Sequence, residues 1–225
     1  MYEKFIKRLL DFLISLFAII VLSPLFVVLI LFGAVIMKGN PFFVQPRPGK
    51  DEKIFKLIKF RSMTCETDDK GNLLPDEERL TKYGDFIRET SLDELPELFN
   101  IIKGDMSIVG PRPQLVRDMV FMTADQRRRH TVRPGLTGLA QANGRNGISW
   151  ENKLQFDLDY IENITFVNDV KIILRTAVGV LKREGISEEG MATAVDFGDY
   201  LLVKGEISEQ EYNEGQENAK FLLKV

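Results

Sequence analysis

The chain has 225 residues, 44% hydrophobic and 28% charged, with a formal net charge of -3 and a mean hydropathy of -0.08. These values fit one domain of ordinary size and exclude a collagen, a disulfide-stapled mini-protein and a disordered chain. The single cysteine, Cys65, permits no internal disulfide and gives no sign of an oxidising compartment.

The averages hide a polarised chain. Residues 1–11 carry Lys4, Lys7 and Arg8 against Glu3 and Asp11. Residues 12–37 contain no Asp, Glu, Lys or Arg, and residues 184–225 hold ten acids against three bases. The stretch between is mildly basic, which suits anionic ligands but is far too weak to argue for nucleic acid.

The uncharged segment, FLISLFAIIVLSPLFVVLILFGAVIM, would make ~39 Å of helix at ~1.5 Å per residue, longer than a ~30 Å hydrocarbon core. It is too long for a cleaved signal peptide, and Met37-Lys38-Gly39-Asn40-Pro41 does not resemble a cleavage site. Ser23-Pro24 falls at its middle, where proline removes a backbone hydrogen bond and bends a helix. The freed carbonyl needs a partner in lipid, and the Ser23 hydroxyl is placed to supply one. Two geometries remain open: a kinked helix that spans the bilayer, and a helical hairpin that enters and leaves by one face. Basic residues flank both ends, Lys4, Lys7 and Arg8 before and Lys38, Arg47 and Lys50 after, which favours the re-entrant form with both ends cytoplasmic.

Beyond residue 40 the pattern predicts a short β-hairpin or two short strands. PFFVQPRPG is extended because residues before proline avoid the α region, and KIFKLIKF alternates apolar residues with lysines. Residues 65–79 read as a polar loop with a Gly-Asn turn. Helices are predicted near 76–89, 93–103, 112–120, 123–130, 150–162 and 168–183. The last places Val170, Ile173, Leu174, Ala177 and Leu181 at helical spacing, with Lys171, Arg175 and Lys182 off the stripe. That stripe fits either a core-packed helix or one lying on anionic lipid. The acidic end reads as a solvated helix or disordered tail.

Three stretches could carry chemistry. In Ser91-Leu92-Asp93-Glu94-Leu95-Pro96, either Ser91 caps a helix through a capping box with Glu94, or Asp93 caps it with Pro96 in the first turn. Both place two adjacent carboxylates at a helix start, where they can hold Mg²⁺. Next, Gly110-Pro111-Arg112-Pro113 fixes a guanidinium on a rigid turn suited to phosphate. Finally, four glycines within residues 135–147 mark a constrained loop bearing Gln141, Asn143, Arg145 and Asn146. It matches neither the dinucleotide nor the P-loop fingerprint. One histidine, His130, and one cysteine cannot build a His/Cys metal cluster, and no G-x-S-x-G accompanies them.

In order, the basic start and apolar segment with Ser23-Pro24, Gln45-x-Arg47-x-Gly49, Lys59-Phe60-Arg61-Ser62-Met63, Ser91-Leu92-Asp93-Glu94-Leu95-Pro96, Lys103-Gly104-Asp105-Met106-Ser107, Val109-Gly110-Pro111-Arg112-Pro113, Arg133-Pro134-Gly135-Leu136-Thr137-Gly138 and Asn143-Gly144-Arg145 resemble one family. It is the small monotopic phosphoglycosyl transferases, or bacterial sugar transferases, and most of all the PglC-type enzymes of protein N-glycosylation. The likeness covers residues 1 to about 190. It implies an α+β fold: a mainly helical compact domain with a short β-hairpin, preceded by a re-entrant membrane helix broken at Ser23-Pro24. The expected divisions are a membrane hairpin over 1–38, a catalytic domain over 39–190 and an acidic extension over 191–225. The implied reaction moves a sugar-1-phosphate from a UDP-sugar to undecaprenyl phosphate and releases UMP. The closest likeness points to UDP-N,N′-diacetylbacillosamine or another UDP-N-acetylated sugar, in the first membrane step of glycoconjugate assembly. Asp93 would be the nucleophile and Glu94 would help it hold Mg²⁺. Arg88 and Arg112 would clamp phosphates, Arg145 would meet the nucleotide, and Lys59 and Asp157 would bind substrate by family position. The implied place is the cytoplasmic face of the bacterial inner membrane. Membrane lipid and downstream glycosyltransferases would be its partners, and nucleic acid would not.

Overall fold

The computed structural model describes residues 2–144, 147–182 and 195–224. A π-helical turn over Tyr2–Ile6 runs into helix α1 (Lys7–Ile36). Helix α1 continues through Ser23-Pro24 as one element. Pro24 has no N–H for the Ile20 carbonyl, and the Ser23 hydroxyl donates to that carbonyl instead, at 2.8 Å. The expected break is therefore the loss of one backbone bond, not a turn between two separate arms.

The body grips α1 along nearly its whole length. Near the start, the Arg8 guanidinium donates to the carbonyls of Ile101 (2.5 Å) and Ile102 (2.8 Å). The buried Asp11 accepts from the Ser107 hydroxyl and the Ile108 N–H, at 2.7 and 3.1 Å. Near the end, Phe26 and Leu29 enter a core with Phe55, Leu57, Phe60, Leu98 and Ile101, and the Tyr83 hydroxyl donates to the Leu29 carbonyl. The opposite side is bare: Phe17 is 69% and Val35 77% exposed, in a helix that carries no charge from Phe12 to its end. An uncovered apolar surface of this extent is a membrane-facing one.

The predicted hairpin is present. Strand β1 (Phe42–Pro48) pairs antiparallel with β2 (Ile54–Phe60), with Phe42 opposite Phe60 and Pro48 opposite Ile54. Asp51 and Glu52 in the connection take the left-handed conformation, which is strained for residues with a Cβ. Arg127 holds Glu52 in a two-pronged pair at 2.6 and 2.5 Å. His130 is buried beside this pair, 3.6 Å from the Glu52 carboxylate, with no hydrogen bond on either ring nitrogen.

Burial first, then the Arg129 charge, pushes the His130 pKa down to about 4, with Glu52 opposing. A base whose folded pKa lies below its unfolded value leaves the unfolded state binding more protons between the two. Its contribution is whole above pH 6.5 and lost as pH falls toward 4. At pH 5 the loss is about 2 kcal/mol, or roughly 5 °C of melting temperature for a chain of this size. His130→Phe is expected to flatten that part of the fall between pH 7.5 and 5.0 in a detergent melt. An identical fall in the variant would show that other groups cause it.

After α2 (Asp76–Arg79) and α3 (Lys82–Glu89) the chain makes a tight 3-10 turn over Leu92–Glu94 before α4 (Glu97–Lys103). The side chain of Asn100 pins α4 to β2, accepting from the Ile58 N–H and donating to the Lys56 carbonyl. A second sheet, absent from the sequence reading, pairs β3 (Ser107–Val109) in parallel with β4 (Gly135–Thr137). A Cβ on Gly135 would lie 2.1 Å from the Gly110 backbone nitrogen, so glycine here serves close backbone approach between the two strands. Short helices α5 (Val116–Met119), α6 (Ala124–Arg127) and α7 (Leu139–Ala142) lead to α8 (Trp150–Glu162) and α9 (Phe166–Leu181). In α9 only Ile172 is buried among the apolar residues with a described environment. The predicted stripe faces outward, with Val170 and Ile173 each 37% and Leu174 61% exposed. Of the two readings left open, packing of this stripe on the core does not hold.

The acidic end is not a free tail. Helices α10 (Phe197–Lys204) and α11 (Glu209–Leu222) pack on the body. Phe197 lies 5.0 Å from Trp150, and both share a core with Met122, Leu154 and Leu201. Phe121 stacks on Tyr212 and fits where Gly198 and Gly215 leave room; a Cβ on either would come within 2.5 Å of its ring.

Candidate active site

Asp93 and Glu94 sit on the 3-10 turn between α3 and α4. Ser91, with φ of 55°, takes the left-handed conformation and turns the chain there. Helix α4 starts later than either sequence alternative, with Pro96 at the N-cap and Glu97 as first residue. Ser91 makes no side-chain cap bond, since a residue in the left-handed region cannot present the extended cap geometry.

Lys59, near the end of β2, and Arg112, on the turn after β3, converge on Glu94. Lys59 Nζ lies 2.7 Å and Arg112 Nη2 2.6 Å from the same oxygen, Glu94 Oε1. Burial works against the charge of Glu94, but Arg112 and Lys59 outweigh it and hold the carboxyl far below the usual range. Burial likewise opposes the charge of Lys59, and Glu94 with Glu97 reverses the effect, raising its pKa. Asp93 is the contrast. Its carboxylate has no hydrogen bond or ion pair among the described residues, and burial, then the Glu94 charge, pushes it up to about 6. Two neighbouring carboxyls with opposite shifts are a mark of a reactive centre.

Arg88, on the last turn of α3, donates through Nε to the Ser62 hydroxyl at 2.9 Å, and its charge reaches Asp93. The predicted group Asp93, Glu94, Lys59, Arg88 and Arg112 is thus assembled in one place. Asp157, expected to bind substrate, is not in the open part. It is 2% exposed and engaged with Arg129, whose nitrogens lie 2.9 and 2.7 Å from Asp157 Oδ2. Arg145 lies outside the described residues.

Three residues to which the sequence assigns no part in the site complete it. Arg129 Nη2 donates to the Arg112 carbonyl at 2.5 Å, and the half-buried Arg47 donates to the Pro113 carbonyl at 3.0 Å. Together they clamp the turn that presents Arg112. The third is Glu97, 1% exposed, whose Oε1 lies 3.2 Å from Lys59 Nζ. Burial, opposed by Lys59 and reinforced by Glu94, pushes the Glu97 carboxyl up to about 7. Arg129 is hidden in an Arg-Arg-Arg run, and nothing local separates it from its exposed neighbour Arg128.

No group of three or more His, Cys, Asp or Glu residues among those described is arranged to hold a metal alone. Both cations sit on one Glu94 oxygen, which leaves Oε2 and the Asp93 carboxylate. One or two carboxylates completed by substrate phosphates suit Mg²⁺, so the residues fit that ion as one held jointly with a ligand.

This geometry, a carboxyl raised by burial beside a carboxylate clamped by two cations, in a body that carries an exposed apolar helix, suits anionic ligands. Comparison with known proteins gives the family. The profile described as bacterial sugar transferase matches residues 2–183, and the chain belongs to that family. Among relatives, it is 50% identical over 196 residues to the uncharacterized sugar transferase EpsL of Bacillus subtilis, covering 85% of this chain and 95% of that protein. It is 37% identical over 201 residues to the undecaprenyl-phosphate galactose phosphotransferase of Salmonella typhimurium, covering 81% of this chain and 42% of that one. It is 42% identical over 180 residues to the UDP-glucose:undecaprenyl-phosphate glucose-1-phosphate transferase of Klebsiella pneumoniae, covering 76% and 39%. The chain therefore spans less than half the length of the two relatives whose names state a reaction.

Proposed function

We propose that the protein transfers a sugar-1-phosphate from a UDP-sugar to undecaprenyl phosphate, releasing UMP, through a covalent intermediate on Asp93. The observation that carries this is the pairing of Asp93, in no ion pair and pushed up to about 6, with Glu94, ionised and clamped by Lys59 and Arg112. An Asp93 oxygen attacks the sugar-bearing phosphorus as its bond to the UMP oxygen breaks. An oxygen of the lipid phosphate then attacks the same phosphorus, and the Asp93 carboxylate leaves. A carboxylate approaches a diphosphate only where the negative charge is offset. Lys59, Arg88 and Arg112 supply cations, and Mg²⁺, when held by Glu94 Oε2, Asp93 and the phosphates, would neutralise the rest.

Attachment of the body to both ends of α1 supports a monotopic arrangement, and the basic residues flanking both ends favour the cytoplasmic face of the bacterial inner membrane. A spanning helix would leave its far end beyond reach, whereas Arg8 and Asp11 at one end and Leu29 at the other all meet the body. With Cys65 removed, single cysteines near residues 4 and 40 should label from the same side; labelling from opposite sides would overturn this topology.

The named relatives point to galactose or glucose, the sequence likeness to an N-acetylated sugar, and one panel separates them. UDP-glucose, UDP-galactose, UDP-GlcNAc and UDP-N,N′-diacetylbacillosamine are each incubated with detergent-solubilised protein and undecaprenyl phosphate. One donor should give UMP in step with a polyprenyl diphosphosugar. UMP without that lipid product would indicate hydrolysis, and no UMP from any donor would refute the reading.

A further inference from the structure

Glu97 is the one strongly buried acid at the site with no role in the scheme above. Its place is set by the fold. Asn100, one turn further along α4, bridges to the backbone at Lys56 and Ile58, and residues three apart share a helix face. Docking α4 on β2 in this register brings Glu97 against Lys59, three residues beyond Lys56. The Glu97 carboxylate reaches Lys59 Nζ at 3.2 Å but outside hydrogen-bond geometry, while the direct hydrogen bond from Lys59 goes to Glu94 at 2.7 Å. Lys59 is thus drawn by two acids from two directions, one of them 1% exposed and fixed by packing.

That arrangement matters when an anionic donor arrives. Lys59 and Arg112 share one oxygen of Glu94 in the free protein, so a phosphate oxygen must compete with Glu94 for both. Arg112 is held from behind, through the backbone of its turn. Lys59 is a flexible ammonium on four carbons, with no other acid in ion-pair contact among the described residues. Without Glu97 it would either follow Glu94 or swing clear. We propose that Glu97 is a positioning residue for the transfer reaction: it keeps the Lys59 ammonium at the carboxylate cluster while Lys59 exchanges Glu94 for a donor phosphate oxygen. This rests on the donor reading above.

A double-mutant cycle tests it, with UMP release from whichever of UDP-glucose or UDP-galactose the wild type accepts. Glu97→Ala is expected to lower kcat/KM about tenfold, the scale of one charge-assisted interaction, chiefly through a higher KM for the donor. Glu97→Gln, which keeps an acceptor in the same place, should lose only about threefold. In a Lys59→Met background, Glu97→Ala should change kcat/KM less than twofold, because its target is gone. A full additional tenfold loss in that background, or an equal loss from Gln and Ala, would overturn the proposal and leave Glu97 a packing residue.

Should the wild type accept neither donor, or Lys59→Met be inactive, the reactivity of Lys59 decides. Acylation of Lys59 by an N-hydroxysuccinimide ester at pH 8, mapped by mass spectrometry, should rise at least fivefold in Glu97→Ala relative to the other lysines. Unchanged labelling would overturn the proposal whatever the donor proves to be.

Discussion

Asp93→Asn is expected to abolish transfer while making the protein more stable. Loss of a nucleophile in a covalent mechanism costs about four orders of magnitude or more in turnover. The stability effect follows from the same environment. Burial, then the Glu94 charge, pushes the folded Asp93 carboxyl up to about 6 from the ordinary aspartate value of 3.8. An acid whose folded pKa is raised lets the unfolded state ionise first, so it weakens the fold increasingly as pH rises through that interval and fully above it. At pH 7.5 in metal-free buffer the cost is on the order of 3 kcal/mol, which asparagine removes.

The neighbouring substitution should act in the opposite sense. Glu94→Gln also abolishes transfer, but it deprives Lys59 and Arg112 of their shared carboxylate, a destabilisation of about 1–3 kcal/mol. Two adjacent changes with the same catalytic result and opposite melting shifts separate a nucleophile from a charge clamp. Incubating wild type with radiolabelled donor but no lipid acceptor should leave label on the protein, and Asp93→Asn should show none. Near-normal turnover in Asp93→Asn, or label retained by it, would refute the assignment.

What was legible in the sequence follows from how local each signal is. Helix α1 shows because 26 successive residues lack charge, and the β1–β2 hairpin because Ile54 to Phe60 alternates with lysines. The Asp93-Glu94 pair shows as adjacent acids ahead of Pro96, although the helix start does not: the left-handed Ser91 is a conformation that no spacing rule predicts. The β3–β4 pair was hidden because each strand has three residues, with some 25 residues between them. There the glycines record contact between distant backbones, so their loop reading captured constraint without its cause. The acidic end looked soluble because its anchors, Phe197, Leu201 and Tyr212, are sparse among acids. Their partners Trp150 and Phe121 lie far away in sequence. Glu97 was passed over for a similar reason, since its meaning depends on Lys59, 38 residues earlier.

Asp157 gives the second large effect, and it separates support of the fold from support of Arg112. The Arg129–Asp157 pair is almost wholly buried, at 1% and 2% exposure. Burial alone would push the Asp157 carboxyl up, and Arg129 opposes that. Removing one partner of such a pair strands the other without solvent, at about 3–5 kcal/mol. Asp157→Leu should therefore lower the melting temperature by roughly 10 °C, far more than an exposed acid would. Removing both charges with apolar residues of similar volume is often close to neutral, so Arg129→Met with Asp157→Leu should regain most of that loss. It should not regain activity. Arg129 also donates to the Arg112 carbonyl at 2.5 Å, and methionine cannot. Of the two arginine bonds that clamp the Arg112 turn, only that from Arg47 to Pro113 then remains, and kcat/KM for the donor should stay at least about tenfold down, the scale of one lost charge-assisted bond. A double variant that recovers turnover along with stability would show that the pair only fills the core. One that recovers stability alone places Arg129 behind Arg112 as a positioning residue, with Asp157 serving to hold Arg129 in place.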